Sequence, residues 1–124
     1  MEVTACHRFA KIAPRKARLV ADLVRGESVN SALEILRMTR KRASVFIEKV
    51  VRAAIASASE NHDIDVDELT VSRIWVDAGP MRRTIWARPR GMWAVKRHRT
   101  SHIHVVLNDE NDEVEAGEEM EART

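Results

Sequence analysis

The stretch between Gly79 and His104 has the composition of a surface that binds phosphate. From Pro80 to His104 it contains seven Lys or Arg residues and no Asp or Glu. Six of the seven are arginines, whose flat guanidinium group can bind a phosphate with two hydrogen bonds and can stack on a base. We therefore predict that this stretch contacts the phosphates of a nucleic acid rather than forming a plain solvated surface. The seven cations are Arg82, Arg83, Arg88, Arg90, Lys96, Arg97 and Arg99.

Two tryptophans, Trp86 and Trp93, stand on either side of Gly91 in the same stretch. Each indole could stack on an unpaired RNA base, an interaction that contributes about 1–3 kcal/mol per base. The alternative is that the two rings pair with each other across a hairpin and stiffen it. The sequence leaves both interpretations open.

A second basic cluster lies where a strand pattern changes into a helix pattern. The first turn of a helix offers unpaired N–H groups and a favourable dipole to an anion, so we predict phosphate binding here over a solvated helix face. For Arg40, Lys41 and Arg42, which precede the longest helix pattern, a solvated face and an RNA contact are equally supported. The members of the second cluster are Lys11, Arg15, Lys16 and Arg18.

The histidines and the cysteine do not form a pattern for catalysis or metal binding. His98, His102 and His104 are irregularly spaced and have no cysteine nearby, so we predict hydrogen bonds to RNA rather than metal binding. Cys6 and His7 are adjacent in a strand pattern and point to opposite faces, which prevents a nucleophile–base pair. We predict that the chain is not an enzyme and needs no metal or cofactor. Since Cys6 is the single cysteine, no internal disulfide forms, as is typical of a reducing compartment.

Charge is unevenly distributed along the chain. Residues 1–107 hold 20 of the 21 Lys and Arg residues but only 11 of the 19 Asp and Glu residues, a surplus of nine positive charges. A basic body of this size indicates a polyanionic partner, most often nucleic acid. Residues 108–124 are acidic and poor in large apolar residues, so we predict that they are disordered. No apolar run approaches the ~20 residues that span a membrane, and the N-terminus does not resemble a signal peptide, so no membrane partner is predicted.

Helix and strand periodicities predict a small mixed fold. Three helices are indicated by apolar residues at three- and four-residue steps, with Asn30 capping the second and Thr39 capping the third. Three strands are indicated by alternation, and in the first of them Phe9 is predicted to share a face with Val3. The predicted helices are Pro14–Arg25, Ser31–Met38 and Arg40–Asn61, and the predicted strands are Val3–Ala10, Leu69–Val76 and His102–Leu107.

These elements predict an α+β fold in which three helices pack on a small antiparallel sheet and a long β-hairpin projects from it. Residues 1–107 form the single domain, and the hairpin arm covers about residues 80–100. A hairpin extended away from its base is not stable alone in water. We therefore expect a binding partner to order it.

Four segments of the chain, taken together and in this order, resemble the bacterial large-subunit ribosomal protein twenty-two family. The resemblance covers about residues 3–107, and any one segment alone would be weak evidence. The segments are Pro14–Leu23 (PRKARLVADL), Ala32–Leu36 (ALEIL), Val76–Pro80 (VDAGP) and Arg99–Ile103 (RTSHI).

The resemblance implies the α+β base with a long hairpin, and it implies a structural role in the large ribosomal subunit. That role is to bind large-subunit rRNA, to support subunit assembly and to extend the hairpin along the nascent-peptide exit tunnel. The implied partners are rRNA, neighbouring ribosomal proteins and the nascent peptide, in the cytoplasmic ribosome. Together with the clusters above, the predicted rRNA-binding residues are Lys11, Arg15, Lys16, Arg18, Arg82, Arg83, Trp86, Arg88, Arg90, Gly91, Trp93, Lys96, Arg97, Arg99, Thr100, Ser101 and His102.

One alternative function and two departures from the family accompany this prediction. The alternative is a free RNA- or DNA-binding regulator whose first two helices form a helix-turn-helix. A recognition helix carries polar base-reading residues, whereas the run from Ala32 to Leu36 is mostly apolar, so the ribosomal role is favoured. The departures are the two tryptophans, Trp86 and Trp93, and the acidic tail. The tail is either inert or masks the basic body, and these interpretations differ in whether its deletion raises non-specific RNA affinity.

Overall fold

Three helices cover one face of a three-stranded antiparallel sheet in the computed structural model, which describes residues 1–109. A two-stranded antiparallel ribbon extends from this base, and the predicted fold class is confirmed. Residues 110–124, with most of the predicted acidic tail, lie outside the described residues. The elements are β1 (Glu2–Ala10), α1 (Pro14–Val24), α2 (Val29–Met38), α3 (Arg42–His62), β2 (Leu69–Ala78), β3 (Arg82–Ala87), β4 (Trp93–His98) and β5 (Ser101–Asp109), with single 3-10 turns at Val66–Glu68 and Pro89–Gly91.

The central strand of the sheet is β5, which pairs with β1 on one side and β2 on the other. Its residues Ile103, Val105 and Leu107 are fully buried, and they form one core with the apolar faces of the helices. His102 and His104 alternate with them and therefore point to the opposite face of the sheet, where they are partly exposed. The strand continues to Asp109, two residues beyond its predicted end.

The first strand contains a bulge, which makes the prediction for Phe9 wrong. The register of β1 on β5 shifts between His7 and Ala10, and Phe9 adopts a positive φ of 59°. A bulge adds a residue to one strand and so reverses the face on which the following side chains lie. As a result Val3 is buried in the core, whereas Phe9 is 53% exposed.

The cap of α2 differs from the predicted one. Ser28 precedes the helix, and its Oγ accepts a hydrogen bond from the N–H of Ser31 at 3.4 Å. Asn30 lies inside the helix instead, and its side-chain amide donates to Asp67 Oδ1 at 2.9 Å. The helix therefore begins two residues earlier than predicted.

The start of α3 also differs, and this difference affects the surface charge. Thr39 ends α2 rather than starting α3, because its hydroxyl donates to the Ile35 carbonyl at 2.7 Å. The third helix then begins at Arg42, so Arg40 and Lys41 lie in the connection before it. Of Arg40, Lys41 and Arg42, only Arg42 is part of the helix.

Two arginines, Arg18 in α1 and Arg25 directly after it, protect the outer edge of the sheet. The guanidinium group of Arg18 donates to the Val76 carbonyl at 3.0 and 3.1 Å, and that of Arg25 donates to the Ile74 carbonyl at 2.8 Å. Both acceptors lie on β2, an edge strand whose unpaired carbonyls could otherwise template pairing with another chain. Arg18 therefore has a structural role in addition to its charge.

The ribbon formed by β3 and β4, hereafter the arm, joins the base through a tight junction at Gly79 and Thr100. The N–H of Gly79 donates to the Thr100 carbonyl at 2.9 Å, and the Thr100 hydroxyl donates to the Pro80 carbonyl at 2.6 Å. A Cβ at position 79 would collide with the Thr100 hydroxyl and would lie 3.2 Å from the backbone carbonyl carbon and oxygen of the same residue. Only glycine fits this junction without displacement.

Gly79→Ala is expected to lower the free energy of unfolding by about 1–3 kcal/mol, the usual cost of overpacking. Chemical denaturation of the two proteins measures this difference. Because the nearest obstacle is the Thr100 hydroxyl, a Gly79→Ala/Thr100→Ala double variant should lose less stability than the two single variants together. Additive losses, or an unaffected Gly79→Ala protein, would contradict this explanation of the junction.

The two tryptophans of the arm lie on opposite faces of the ribbon. Trp86 pairs with Ala94, and Ala87 pairs with Trp93, so the rings belong to consecutive cross-strand pairs. Side chains of consecutive pairs point to opposite faces. The interpretation in which the two rings pair with each other across the hairpin is therefore wrong.

Candidate RNA-binding surface

A groove of about 790 Å³ lies between the start of α1, the start of α3 and the root of the arm. Three segments that are distant in sequence meet there, and each contributes cations. Among residues 1–109, no Asp or Glu lines the groove. The cations that line it are Lys11, Lys16, Arg42, Arg82, Arg97 and Arg99, and the other lining residues are Ile12, Ala13, His98 and Thr100.

The described part of the chain does not neutralise the cations of the groove. Within residues 1–109, none of the six forms an ion pair with a carboxylate. The side chains that do form ion pairs, such as Arg52 with Glu48 and Arg73 with Glu2, lie elsewhere on the base. Cations held close together without counter-charges create a field that attracts an external anion. The groove is therefore suited to a polyanion.

The start of α1 adds a favourable helix dipole to this surface. Ala13 precedes the helix without a side-chain cap, Pro14 occupies the first helical position, and the first turn carries no acidic residue. Pro14 has no N–H, and the Lys16 N–H donates to the Ala13 carbonyl at 3.1 Å, so the dipole rather than free backbone donors favours an anion here. Lys16 lies in this turn and lines the groove. The local sequence thus places a cationic side chain at the positive end of the helix dipole.

A second, smaller cavity of about 310 Å³ lies on the other side of the same helix start. Arg15 and Arg18 line it from α1, and Arg99 and Thr100 line it from the arm's root. Arg99 and Thr100 also line the large groove, so the two cavities share one wall. The carbonyl that binds Arg18 does not cancel its charge. The predicted basic cluster is therefore divided between two adjoining cavities.

Arg42 is a member of the groove that sequence reasoning left undecided. It occupies the first position of α3, and its guanidinium carbon lies 5.5 Å from the centre of the Phe46 ring. Nothing in its local sequence distinguishes it from Arg40 or Lys41. Its proximity to the arm's root results from helix packing, which local patterns do not report.

Both faces of the arm carry cations, but its two tryptophans have different surroundings. On one face, Arg88 and Lys96 lie 4.4 and 5.4 Å from the centre of the Trp86 ring. On the other face, Trp93 is 66% exposed and Ile85 is 80% exposed. In the described part of the chain, Trp93 has no ring or cation partner. Its indole is therefore the freer of the two for stacking with a base.

The return from the arm contains the predicted residues that contribute least to the surface. Ser101 is fully buried at the start of β5, so its hydroxyl does not lie on the RNA-accessible surface. His102 is partly exposed, and its Nδ1 accepts a hydrogen bond from the Phe9 N–H at 3.0 Å. The tip residues Arg90 and Gly91 both have positive φ, 63° and 69°, and are exposed.

A Cys–His–Asp contact occurs on the sheet face that points away from the helices. The Cys6 Sγ lies 3.9 Å from His104 Nε2, and Asp77 Oδ2 lies 3.3 Å from the same nitrogen. A catalytic relay uses the two ring nitrogens separately, one for the nucleophile and one for the acid. This geometry therefore does not form such a relay. Within residues 1–109, no three His, Cys, Asp or Glu residues are grouped as metal ligands.

Fold and surface together define a small α+β protein with a cation-lined groove at the root of a projecting two-stranded arm. Residues 5–108 match the model of the family described as ribosomal protein L22p/L17e, and the chain belongs to this family. The family predicted from the sequence is thus confirmed. The large ribosomal subunit protein uL22 of Desulforamulus reducens is 45% identical over 112 residues, which are 90% of this chain and 99% of that protein. Among the described residues, no helix has both the length and the apolar character needed to cross a membrane.

Proposed function

We propose that this protein is a structural component of the large ribosomal subunit that binds large-subunit rRNA through the groove and the arm. The observation that carries the proposal is the groove itself, where six cations from three segments meet and residues 1–109 place no carboxylate among them. The similarity to a large ribosomal subunit protein over nearly its whole length supports the same role. The protein acts in the ribosome, in the cytoplasm, beside neighbouring ribosomal proteins.

In the groove, phosphates of rRNA bind between the start of α1 and the arm's root. Lys11 and Lys16 act as point charges, whereas Arg82, Arg97 and Arg99 can each bind a phosphate with two hydrogen bonds. The positive end of the α1 dipole adds to this attraction. Because the binding residues come from separate segments, one stretch of RNA would hold the arm against the base. Such cross-linking supports assembly of the subunit.

The arm extends into the particle along the nascent-peptide exit tunnel. Its strands pair with each other and make no extensive contact with the base beyond the junction. An isolated two-stranded ribbon is marginally stable in water, so contacts with rRNA would order it. The cations of the arm bind rRNA, and the exposed apolar side chains beside Trp93 are free to face the nascent peptide.

Sedimentation of ribosomes from cells that express the tagged full-length protein tests this proposal. The protein is expected to sediment with large subunits and to stay bound through a wash in moderate salt. A tagged elongation factor, which dissociates in the same wash, serves as the control. Consistent absence of the protein from large subunits would overturn the ribosomal role and would favour a free RNA-binding regulator.

A further inference from the structure

The sheet face that points away from the helices carries a row of four rings. The Phe9 and His102 rings meet edge to face with 5.0 Å between their centres, and the Trp75 and His104 rings stack in parallel at the same separation. His102 and His104 are two residues apart on β5, which places them about 7 Å apart on one face. The two ring pairs therefore form one continuous row across the sheet.

The Phe9 ring is exposed by an unusual backbone conformation. Its positive φ of 59° is rare for a bulky side chain, and its N–H is fixed by the hydrogen bond to His102 Nδ1. The bulge turns the ring out of the core, where it remains 53% exposed, and Trp75 is 40% exposed. Strained residues of this kind cluster at binding sites, because packing alone would favour a relaxed and buried ring. The row thus has the features of a ligand surface.

The charges on this face are already engaged within the protein. Arg73 binds the Glu2 carboxylate at 3.1 and 3.2 Å, and Asp77 lies 3.3 Å from His104. Arg8 lies with its guanidinium carbon 5.3 Å from the Phe9 ring centre. The face is therefore nearly neutral and aromatic, in contrast to the cationic groove. Such a surface favours ring stacking over phosphate binding.

The row adjoins the cationic groove at the end of the sheet where the arm begins. Phe9 lies two residues before Lys11, and His102 lies two residues after Thr100, and both Lys11 and Thr100 line the groove. A nucleotide strand whose phosphates occupy the groove would therefore bring its bases to the rings. Aromatic side chains on an open antiparallel sheet stack unpaired bases in several RNA-binding folds.

We propose that Phe9 and Trp75 form a stacking platform for unpaired bases of the same RNA whose phosphates bind in the groove. This inference rests on the proposed function, because it assumes that the groove binds rRNA. His102 and His104 support the two rings, one by an edge contact and the other by a parallel stack. The platform recognises unpaired bases, whereas the groove recognises only phosphate.

The test uses the full-length protein and an in vitro transcript of the large-subunit rRNA from the source organism. Phe9→Gly and Trp75→Leu should each raise the Kd about 5- to 150-fold, the effect of one stacked base, without changing the salt dependence of binding. Glycine suits the positive φ at position 9, so the change does not strain the backbone, and chemical denaturation of both variants shows whether they are folded. Met38→Ala, which removes a side chain that is 83% exposed on α2, is the control with unchanged Kd.

A photoreactive residue in place of Trp75 gives an independent readout in assembled large subunits. Cross-links to rRNA support the platform, whereas cross-links to a protein alone would overturn it in favour of a protein-docking face. A Kd within twofold of wild type for both ring variants would also overturn it. If the wild-type protein itself does not bind the transcript, the proposed function fails, and the platform fails with it.

Discussion

The triple variant Lys16→Gln/Arg42→Gln/Arg97→Gln is expected to bind large-subunit rRNA roughly 100- to 500-fold more weakly than wild type in 0.1 M salt. Each cation that binds a phosphate releases counterions, which contributes about 0.7–0.9 to the slope of log K against log salt concentration. The loss of three contacts therefore lowers the slope by about 2–2.7. All three side chains are exposed, so the fold should be retained.

A control variant with the same change in net charge separates the effect of the groove on RNA affinity from the effect of the overall charge. Arg37→Gln/Lys49→Gln/Arg52→Gln removes three exposed cations from α2 and α3, outside both cavities. Arg37 and Arg52 are near Glu48, at 3.8 and 2.6 Å, so their charges are partly offset already. We expect a small change in affinity for this variant. Equal losses in both triple variants would show that the groove has no special role.

The sequence predicted most of the groove because its cations are marked by local signals. Pro14 and the apolar stripe behind it indicate a helix start, and a helix start with Lys16 nearby indicates an anion site. The arm's cations are dense and free of carboxylates, which identifies them without a structure. Arg42 could not be identified in this way, because its role depends on where packing places the start of α3.

Side-chain patterns alone gave no reliable prediction where backbone geometry decides the direction of a side chain. Alternation from Val3 placed Phe9 on the core face, but one extra residue in the bulge reversed its direction. Ser101 was selected from a family motif, and motif membership does not distinguish a buried residue from a surface residue. Likewise, Trp86 and Trp93 are equivalent around Gly91 in the sequence, whereas the register of β3 on β4 sends them to opposite faces.

The two faces of the arm also change what its tryptophans can do. Trp86 is already contacted by Arg88 and Lys96. A base that binds on this face of the arm would therefore contact the Arg88 guanidinium as well as the indole. Trp93 has no such cover and lies beside Ile85 and Val95, which are both exposed. The Trp93 face is not purely apolar, however, because the Arg83–Arg97 pair lies next to Ile85 and Val95 on it, so both faces of the arm carry cations. Its charge alone does not describe its binding.

Replacing residues 83–97 by Asn-Gly, which joins Arg82 to His98 through a two-residue turn, is expected to abolish most of the arm's contribution to rRNA binding. The deletion removes five cations, so the salt slope should fall by up to about 3.5–4.5. The base should remain folded, with its free energy of unfolding within about 0.5 kcal/mol of wild type, because the strands of the arm pack on each other. Denaturation and salt-dependent binding to the rRNA transcript measure the two effects.

A full-length variant in which the same five cations are replaced by glutamine separates the contribution of charge to rRNA affinity from the contribution of the tryptophan rings. This variant keeps the ribbon and both tryptophans, so its salt slope should match that of the deletion. Its affinity should stay higher, because stacking by Trp86 and Trp93 contributes about 1–3 kcal/mol per base. Equal affinities would mean that the rings do not contact rRNA. An unchanged affinity and slope in both variants would show that the cations of the arm do not bind phosphate, and it would also contradict the role given to Arg97 in the groove.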